Sequence, residues 1–386
     1  MKKFAGLVFH SNHAYYNLKL KKGHACFQVT SWIFIIKYNM YGGDLFVEPK
    51  NLLIAGDIGG TKTNLALYSL ESGPKSPLRR SQYPSASYEN LEDMVSEFLM
   101  LSNDKVTCAV FGVAGPVDGH LARITNLPWV IDAKRISSRL GFTYTALLND
   151  LEALASGISL LDEPDLRELN SGEPSTEGPI AVIAPGTGLG QAYLTWDGAR
   201  YRAHASEGGH ADFAPRNALE MALLEHLLER HDHVSYEHVC SGNGILNIYT
   251  FLRDRGNHLE PAWFAKEFET APDRTALIVR TALDAAQTCE LCRETLRIFV
   301  SILGAETGNV ALKFMPAGGV FLGGGIPPRI LAALEGEEFL ASFFSKGRMT
   351  HVLTRIPVHV ILATDTPLMG AAGHGMDLMG RKEIIP

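Results

Sequence analysis

The sequence predicts an α/β protein of two similar halves with a cleft between them, and three observations predict it. The chain has 386 residues, beyond the length at which one hydrophobic core usually stops growing, so two lobes are expected. From Asn51 onward apolar strand-like runs alternate with helical segments. A hairpin with a glycine-rich turn occurs twice, first over residues 52–69 and again over 179–195, and such repetition points to duplicated halves facing each other. The expected division is an atypical N-terminal extension over 1–50, a small α/β domain of 51–160 plus 364–386, and a large α/β domain of 161–363.

Each element follows from its local pattern. Residues 52–55 read as a buried strand, and the return at 64–69 is too tight for a strand followed by a helix, hence a hairpin. Residues 87–101 are amphipathic and predict a helix, while 107–113 predict a buried strand ending in Gly115-Pro116. A short helix at 135–140, a strand at 145–148 and a helix at 150–159 follow. The polar stretch 162–178, rich in Pro, Glu, Ser and Gly, reads as a surface connection between lobes. After it the scheme restarts with a strand at 179–184, a glycine turn and a return strand at 191–195. Helices are expected at 218–230, 244–253, 263–269 and 274–313, and late strands at 318–322 and 357–363.

Composition bounds the function. With 46% hydrophobic and 20% charged residues the chain is of globular rather than disordered or membrane type. The net charge is −7 and the basic residues are dispersed, so no stripe can track a nucleic acid backbone. Five cysteines, an odd number without paired zinc spacing, fit reduced thiols better than a disulfide framework. Cys289 and Cys292 form the one CxxC and fall within a helical pattern over 280–299, where a core or helix-surface role outweighs a redox or metal role. The first forty residues carry six lysines and no acidic residue. Their apolar runs, 4–9 and 32–36, are too short for a secretory core with a cleavage site or for a membrane span. The expectation is a dispensable extension, with Met40 an alternative start.

Four clusters carry chemistry. Gly56-Asp57-Ile58-Gly59-Gly60-Thr61-Lys62-Thr63 follows an apolar strand, and its glycines free backbone N–H groups to converge on phosphate oxygens. Asp57 in such a loop would repel bare phosphate, so it implies Mg²⁺ between them, directly or through water. An ordinary hairpin turn is the competing reading, and the P-loop spacing is absent. Gly186-Thr187-Gly188-Leu189-Gly190 is a second turn of this kind. The two loops would grip the β and γ phosphates from opposite sides, with Gly323-Gly324-Gly325 against adenosine. Asn149-Asp150 stands at the carboxyl end of a strand, where open α/β sheets place ligands. Asp150 there can accept a proton from a hydroxyl or simply cap a helix. In Glu207-Gly208-Gly209-His210, polar groups can point into a cavity while the glycines let the backbone close on a small ligand. One histidine without cysteines argues against zinc. Glu237, before Cys240-Ser241-Gly242, is unremarkable by itself.

Taken in order, GDIGGTKTNLAL, FGVAGPVDG, ITNLPW, LLNDLEALASGI, APGTGLGQAYL, EGGHADFAP, VSYEHVCSGNGILNIY and GGVFLGGGIPPRIL resemble the bacterial hexokinase-type glucokinase family. That family belongs to the actin, sugar kinase and Hsp70 superfamily. The resemblance runs from about residue 52 to 375 and implies the two-lobed actin-like (ribonuclease H-like) fold. It implies ATP with Mg²⁺ as cofactors, D-glucose as substrate, glucose 6-phosphate as product, no nucleic acid or membrane partner, and a cytoplasmic homodimer. By position, Gly56 to Thr61 and Gly186 to Gly188 match the two ATP phosphate loops, and Asp150 matches the base acting on the sugar 6-hydroxyl. Asn149 matches its sugar-contacting neighbour, and Glu207, His210 and Glu237 match residues that hydrogen-bond the ring hydroxyls. Asn126 falls where the family places a loop at the sugar pocket. The related repressor, open-reading-frame and kinase family typically carries a CxCGxxGC zinc motif after the histidine, which is missing here, although Lys62-Thr63 looks like those relatives. A kinase for another hexose or an N-acetyl amino sugar is the alternative reading. A sugar-sensing regulator is disfavoured, since the first fifty residues show no capped helix pair.

Overall fold

The computed structural model describes residues 52–100, 105–124, 127–286 and 288–380, together with the backbone of short strands between residues 10 and 37. Two mixed sheets organise the described residues. In the first, β1 (Leu52–Ile58), β2 (Lys62–Ser69) and β3 (Arg79–Pro84) form an antiparallel meander. β4 (Val106–Val113) then runs parallel to β1, and β8 (Tyr144–Asn149) parallel to β4. Between them lie a three-stranded antiparallel flap of β5 (Val117–Asp118), β6 (Leu121–Arg123) and β7 (Val130–Asp132) and α2 (Ala133–Leu140), capped by Asp132. The helix α1 (Leu91–Met100) buries Leu91, Met94, Val95 and Phe98 into the core of this half.

The second sheet repeats that order. β10 (Ile180–Pro185), β11 (Leu189–Trp196) and β12 (Tyr201–Ser206) form the meander. β13 (Gly319–Leu322) and β14 (Val358–Ile361) continue in parallel from β10. One strand is added at the far edge: β9 (Leu166–Asn170), antiparallel to β14. Each half is therefore a hairpin meander followed by two parallel strands, which is the duplicated α/β arrangement expected.

The helices of the second half are α4 (Ala218–Leu228), α5 (Gly242–Arg255), α6 (Ala262–Thr270), α7 (Arg274–Leu283), α8 (Glu290–Phe314), α9 (Leu331–Leu334), α10 (Glu337–Phe344) and α11 (Thr350–Leu353). α8 is buried along most of its length, as expected for a central helix whose apolar residues are not confined to one stripe. Two further helices lie between the sheets: α3 (Asp150–Gly157) and the last, α12 (Thr366–Gly380). They cross closely because glycines stand at the crossing. A Cβ on Gly370 would lie 1.9 Å from the Ala153 carbonyl oxygen, and one on Gly157 would lie 2.4 Å from that of Thr366. α12 also packs on the first sheet, where Gly375 meets Leu53 and Val110.

The structure corrects the sequence reading in four respects. The stretch 162–178 contains β9, so it is a sheet edge as well as a connection. β3 and β12 are additional strands at the edges of their sheets, and β5, β6, β7, α9, α10, α11 and α12 are further elements absent from the sequence reading. The first glycine turn is shorter than read, since Gly56, Asp57 and Ile58 belong to β1. The long helix of 274–313 is two helices, because Cys289 adopts an extended backbone (φ −127°, ψ 98°) and its sulfur caps α8.

Candidate active site

Strand register brings the predicted groups to one level. Asp57 pairs with Gly112, Ile58 with Val113, and Val113 with Asn149. The carboxyl ends of β1, β4 and β8 thus form one edge, with Asp57 and Asp150 two strands apart, roughly 10 Å at ordinary strand spacing. The chain turns from β8 directly into α3. Asn149 is the cap, its Oδ1 accepting from Leu151 N–H at 3.0 Å while its Nδ2 donates to the Gly115 carbonyl at 3.1 Å. Asp150 is the first helical residue and also accepts from Leu151 N–H, at 2.9 Å. Capping is thus shared by a neutral neighbour, and the Asp150 carboxylate is not needed for it alone.

α3 is the meeting point of Gly112 in β4 and of two of the three glycine segments. A Cβ on Gly112 would stand 2.7 Å from Ala153, one on Gly190 would stand 2.4 Å from Leu151, and one on Gly323 would stand 2.7 Å from Leu154. The first helical turn is thereby wedged against the first sheet on one side and against the start of β11 and the end of β13 on the other. Gly324 takes φ +80°, and a Cβ there would sit 2.6 Å from the Pro185 carbonyl oxygen, so the Gly323-Gly324-Gly325 turn crosses the end of β10. Gly324 and Gly325 are exposed.

The two phosphate-type turns are braced differently. In the first, Gly59 N–H donates to the Lys62 carbonyl at 3.0 Å, and Ser85 Oγ donates to the Gly59 carbonyl at 2.7 Å. Ser85 N–H donates to the Thr61 carbonyl at 3.0 Å, and the Ser85 hydroxyl lies 3.0 Å from Thr63 Oγ1. Gly60 and Thr61 are left at the tip, with Thr61 exposed. In the second, Leu189 N–H donates to Glu237 Oε2 at 2.9 Å, and Gly242 N–H donates to the Gly186 carbonyl at 2.8 Å. Thr187 is exposed and Gly186 and Gly188 are partly so.

The sugar-pocket residues converge on the same spot. A Cβ on Gly209 would lie 1.9 Å from the Leu189 carbonyl oxygen, so the turn carrying Glu207 and His210 packs on the start of β11. Glu237 reaches Leu189 from the other side. Glu207 and His210 are exposed and stand 3.9 Å apart. Gln191, next along β11, is buried and donates to the buried Glu306 of α8 at 2.8 Å, tying this wall to the centre of the second half. Asn126 lies outside the described residues.

Electrostatics single out the two aspartates. Burial pushes the Asp150 carboxyl up to about 6, with the charges of Asp57 and Glu207 adding to the effect and the Leu151 N–H bond opposing it. Asp57 is also raised, chiefly by burial, against the hydrogen bond from Asn64 Nδ2 at 3.2 Å. A partly buried carboxylate with one side-chain donor is an under-compensated anion, which suits a divalent cation. Among the described residues no group of three or more His, Cys, Asp or Glu side chains could hold a metal. Such a site fits an ion carried mostly by phosphate oxygens and water, as Mg²⁺ usually is.

The sequence reading missed Asn64, Ser85 and Gln191. Asn64 was recoverable: a tight hairpin fixes register, and the residue paired across from Asp57 is Asn64. Ser85 follows an edge strand and Gln191 reads as an ordinary strand residue, so neither carries a local signal.

A glucokinase family model matches residues 54–377. A glucokinase of Trichormus variabilis is 42% identical over 336 residues, covering 83% of this chain and 98% of its own. One from Synechocystis is 39% identical over 343 residues, covering 83% and 96%. Among solved structures, a glucokinase from an Antarctic psychrotroph superposes with a TM-score of 0.71 at 30% identity, covering 85% of this chain and 99% of that one.

Proposed function

The chain belongs to the glucokinase family and is an ATP-dependent glucokinase, and from that premise we propose that Asp150 is the base that takes the proton of the glucose 6-hydroxyl as the γ-phosphoryl group is transferred. The observation that carries this assignment is the Asp150 carboxylate, held at the first turn of α3 against Gly190 of the second glycine turn, on the sheet edge that carries Asp57, and pushed by burial up to about 6. A base of that pKa is largely ionised at neutral pH yet basic enough to share a proton in the transition state.

The other residues position. Phosphoryl transfer asks the protein mainly for alignment and charge stabilisation. The turn Gly59-Gly60-Thr61 on one side, through the amides of Gly60 and Thr61, and the turn Gly186-Thr187-Gly188 on the other, through those of Thr187 and Gly188, would hold the triphosphate, with Gly323, Gly324 and Gly325 beside the nucleoside; the Gly59 and Gly186 amides close their own turns. Asn149, Glu207, His210 and Glu237 would hold the sugar hydroxyls, and Asn126 is proposed with them. Mg²⁺, when bound, neutralises phosphate charge; Asp57 is the residue that would hold it, directly or through water, with Asn64 fixing the orientation of that carboxylate. Closure of a small lobe (51–160 with 364–386) on a large one (161–363) would exclude water from the γ-phosphate. The cytoplasmic homodimer expected of the family is part of the same proposal, and sedimentation tests the dimer. Among the described residues no helix is long and apolar enough to cross a membrane.

Asp150→Asn is the direct test. It should keep glucose binding, measured by calorimetry, and lower kcat by about a hundredfold or more, as removal of a general base does. Near-parental kcat would end the assignment. The same variant should be more stable than the parent at pH 8. A carboxyl raised in the folded state contributes stability at low pH that is lost as pH rises through about 6, and the neutral amide escapes that loss.

A further inference from the structure

Cys289 and Cys292 lie far along the chain from the catalytic groups and take no part in the mechanism above. Both are fully buried, yet they are not simple core residues. Their sulfurs are 2.9 Å apart, and Cys289 is the N-cap of α8, its Sγ accepting from Cys292 N–H at 3.4 Å. The two thiols therefore share one proton-poor site at the positive end of a helix of 25 residues, where a thiolate is favoured. The thiol–thiol hydrogen bond draws the Cys289 thiol down to about 7 and pushes Cys292 up. The hydrogen-bonded Tyr249 and Glu260 face the pair, and the Glu260 charge opposes the shift without reversing it. The other described cysteines, Cys108 and Cys240, are each raised by burial. In the connection that leads into the pair, Asp284, Ala285, Ala286 and Thr288 are all exposed. Among the described residues nothing supplies the further ligands a structural zinc would need.

We propose that Cys289 and Cys292 form a reversible dithiol–disulfide site that exchanges with small-molecule or protein disulfides, Cys289 attacking first. In the first step the Cys289 thiolate attacks one sulfur of the incoming disulfide. The new S–S bond forms, the old one breaks, and one thiol leaves with the proton that Cys289 released. Cys292 then attacks Cys289 Sγ in the mixed disulfide, loses its own proton and expels the second thiol. Two electrons pass to the incoming disulfide and an intramolecular disulfide remains. That bond closes a loop across the first turn of α8 and pins the α7–α8 connection, while local opening of this connection sets the rate.

The test uses the full chain, reduced and then equilibrated in mixtures of reduced and oxidised glutathione, acid-quenched, alkylated and analysed by peptide mass. Residues 289 and 292 should lose their thiols together, giving a peptide lighter by two hydrogens, while Cys108 and Cys240 stay alkylatable. Cys292→Ser should stop at a glutathione adduct on Cys289, and Cys289→Ser should leave Cys292 reduced. Amide exchange over 284–292 should slow in the oxidised chain. The proposal fails if the native parental chain keeps both thiols at the most oxidising ratio, or if oxidation occurs only where circular dichroism shows unfolding. It also fails if adducts collect on Cys292 in preference to Cys289. The parental result decides the matter even if a serine variant does not fold.

Discussion

The β1–β2 turn and the β10–β11 turn occupy equivalent places in two copies of one topology, yet their chemistry is opposite. In each half the turn joins the central strand to its antiparallel partner, and the central strand runs parallel to the next strand on its other side. The first turn places a carboxylate, Asp57, on the strand leading into it, and serine and asparagine side chains brace it. The second is led into by Ala184 and Pro185 and is braced from outside by Glu237 and Gly242. In the proposed mechanism topology sets where phosphate is gripped, twice, and the side chains decide that one grip would hold a cation and the other would offer neutral amides. The active site depends on the halves having ceased to be alike.

The comparison breaks most visibly at Asp57. Asp57→Asn should leave a folded protein whose kcat falls by about a hundredfold or more, the scale of a lost electrostatic contact in phosphoryl transfer, with the Mg²⁺ concentration for half-maximal rate rising. If that concentration does not move, Asp57 does not deal with the cation and the two turns are equivalent after all. The next effect belongs to the second turn. A Cβ on Gly188 would stand 2.4 Å from Glu237 Oε2, so Gly188→Ala must displace the carboxylate that holds Leu189 N–H. KM for ATP and for glucose should both rise, by about tenfold for a loss on the order of 1.4 kcal/mol, with the Mg²⁺ requirement unchanged. A rise in the Mg²⁺ requirement would show that the division of labour is misassigned.

How much of this was written in the sequence depends on where a residue sits in its sheet. The central strands read correctly because they are buried on both faces and nearly all apolar; in β1, five of the seven residues are 52–55 and 58, each with no exposed surface. Of the six strands missed after residue 51, β5, β6 and β7 are only two or three residues long, and β3, β9 and β12 are edge strands of the two large sheets. Edge strands carry charges that resist further pairing, and Arg79, Arg80, Arg167, Glu168 and Arg202 make these segments look like loops. The strand-to-helix junction of the candidate site was legible at Asn149-Asp150 because a strand end followed at once by a helix start is a local pattern. The bracing by Ser85, Gln191 and Glu306 was not, since those partners are brought in by register and by a helix more than a hundred residues away. The α7–α8 break was hidden for another reason: no glycine or proline marks it, and the cap is a cysteine sulfur.

The smallest effect sharpens the comparison from the catalytic side. Because the Asp150 carboxyl is raised to about 6, the base is present above that pH and lost below it, so kcat/KM for glucose should fall as pH drops through about 6. Burial is the largest cause of the raised value, and a neutral residue elsewhere cannot undo it. The charges of Asp57 and Glu207 add to it, with Asp57 the stronger. Glu207→Gln removes one of these charges without touching α3, and its acid limb should move to lower pH by a small amount even as KM for glucose rises. The two readouts separate two roles: KM reports the hydroxyl contact, and the limb reports the field at Asp150. A limb unmoved in Glu207→Gln and still near 6 would mean that the Glu207 charge does not reach Asp150, leaving burial and Asp57 to set the base. A limb absent from the parent would mean that the titrating group lies elsewhere, and the nucleophile would then be activated without Asp150.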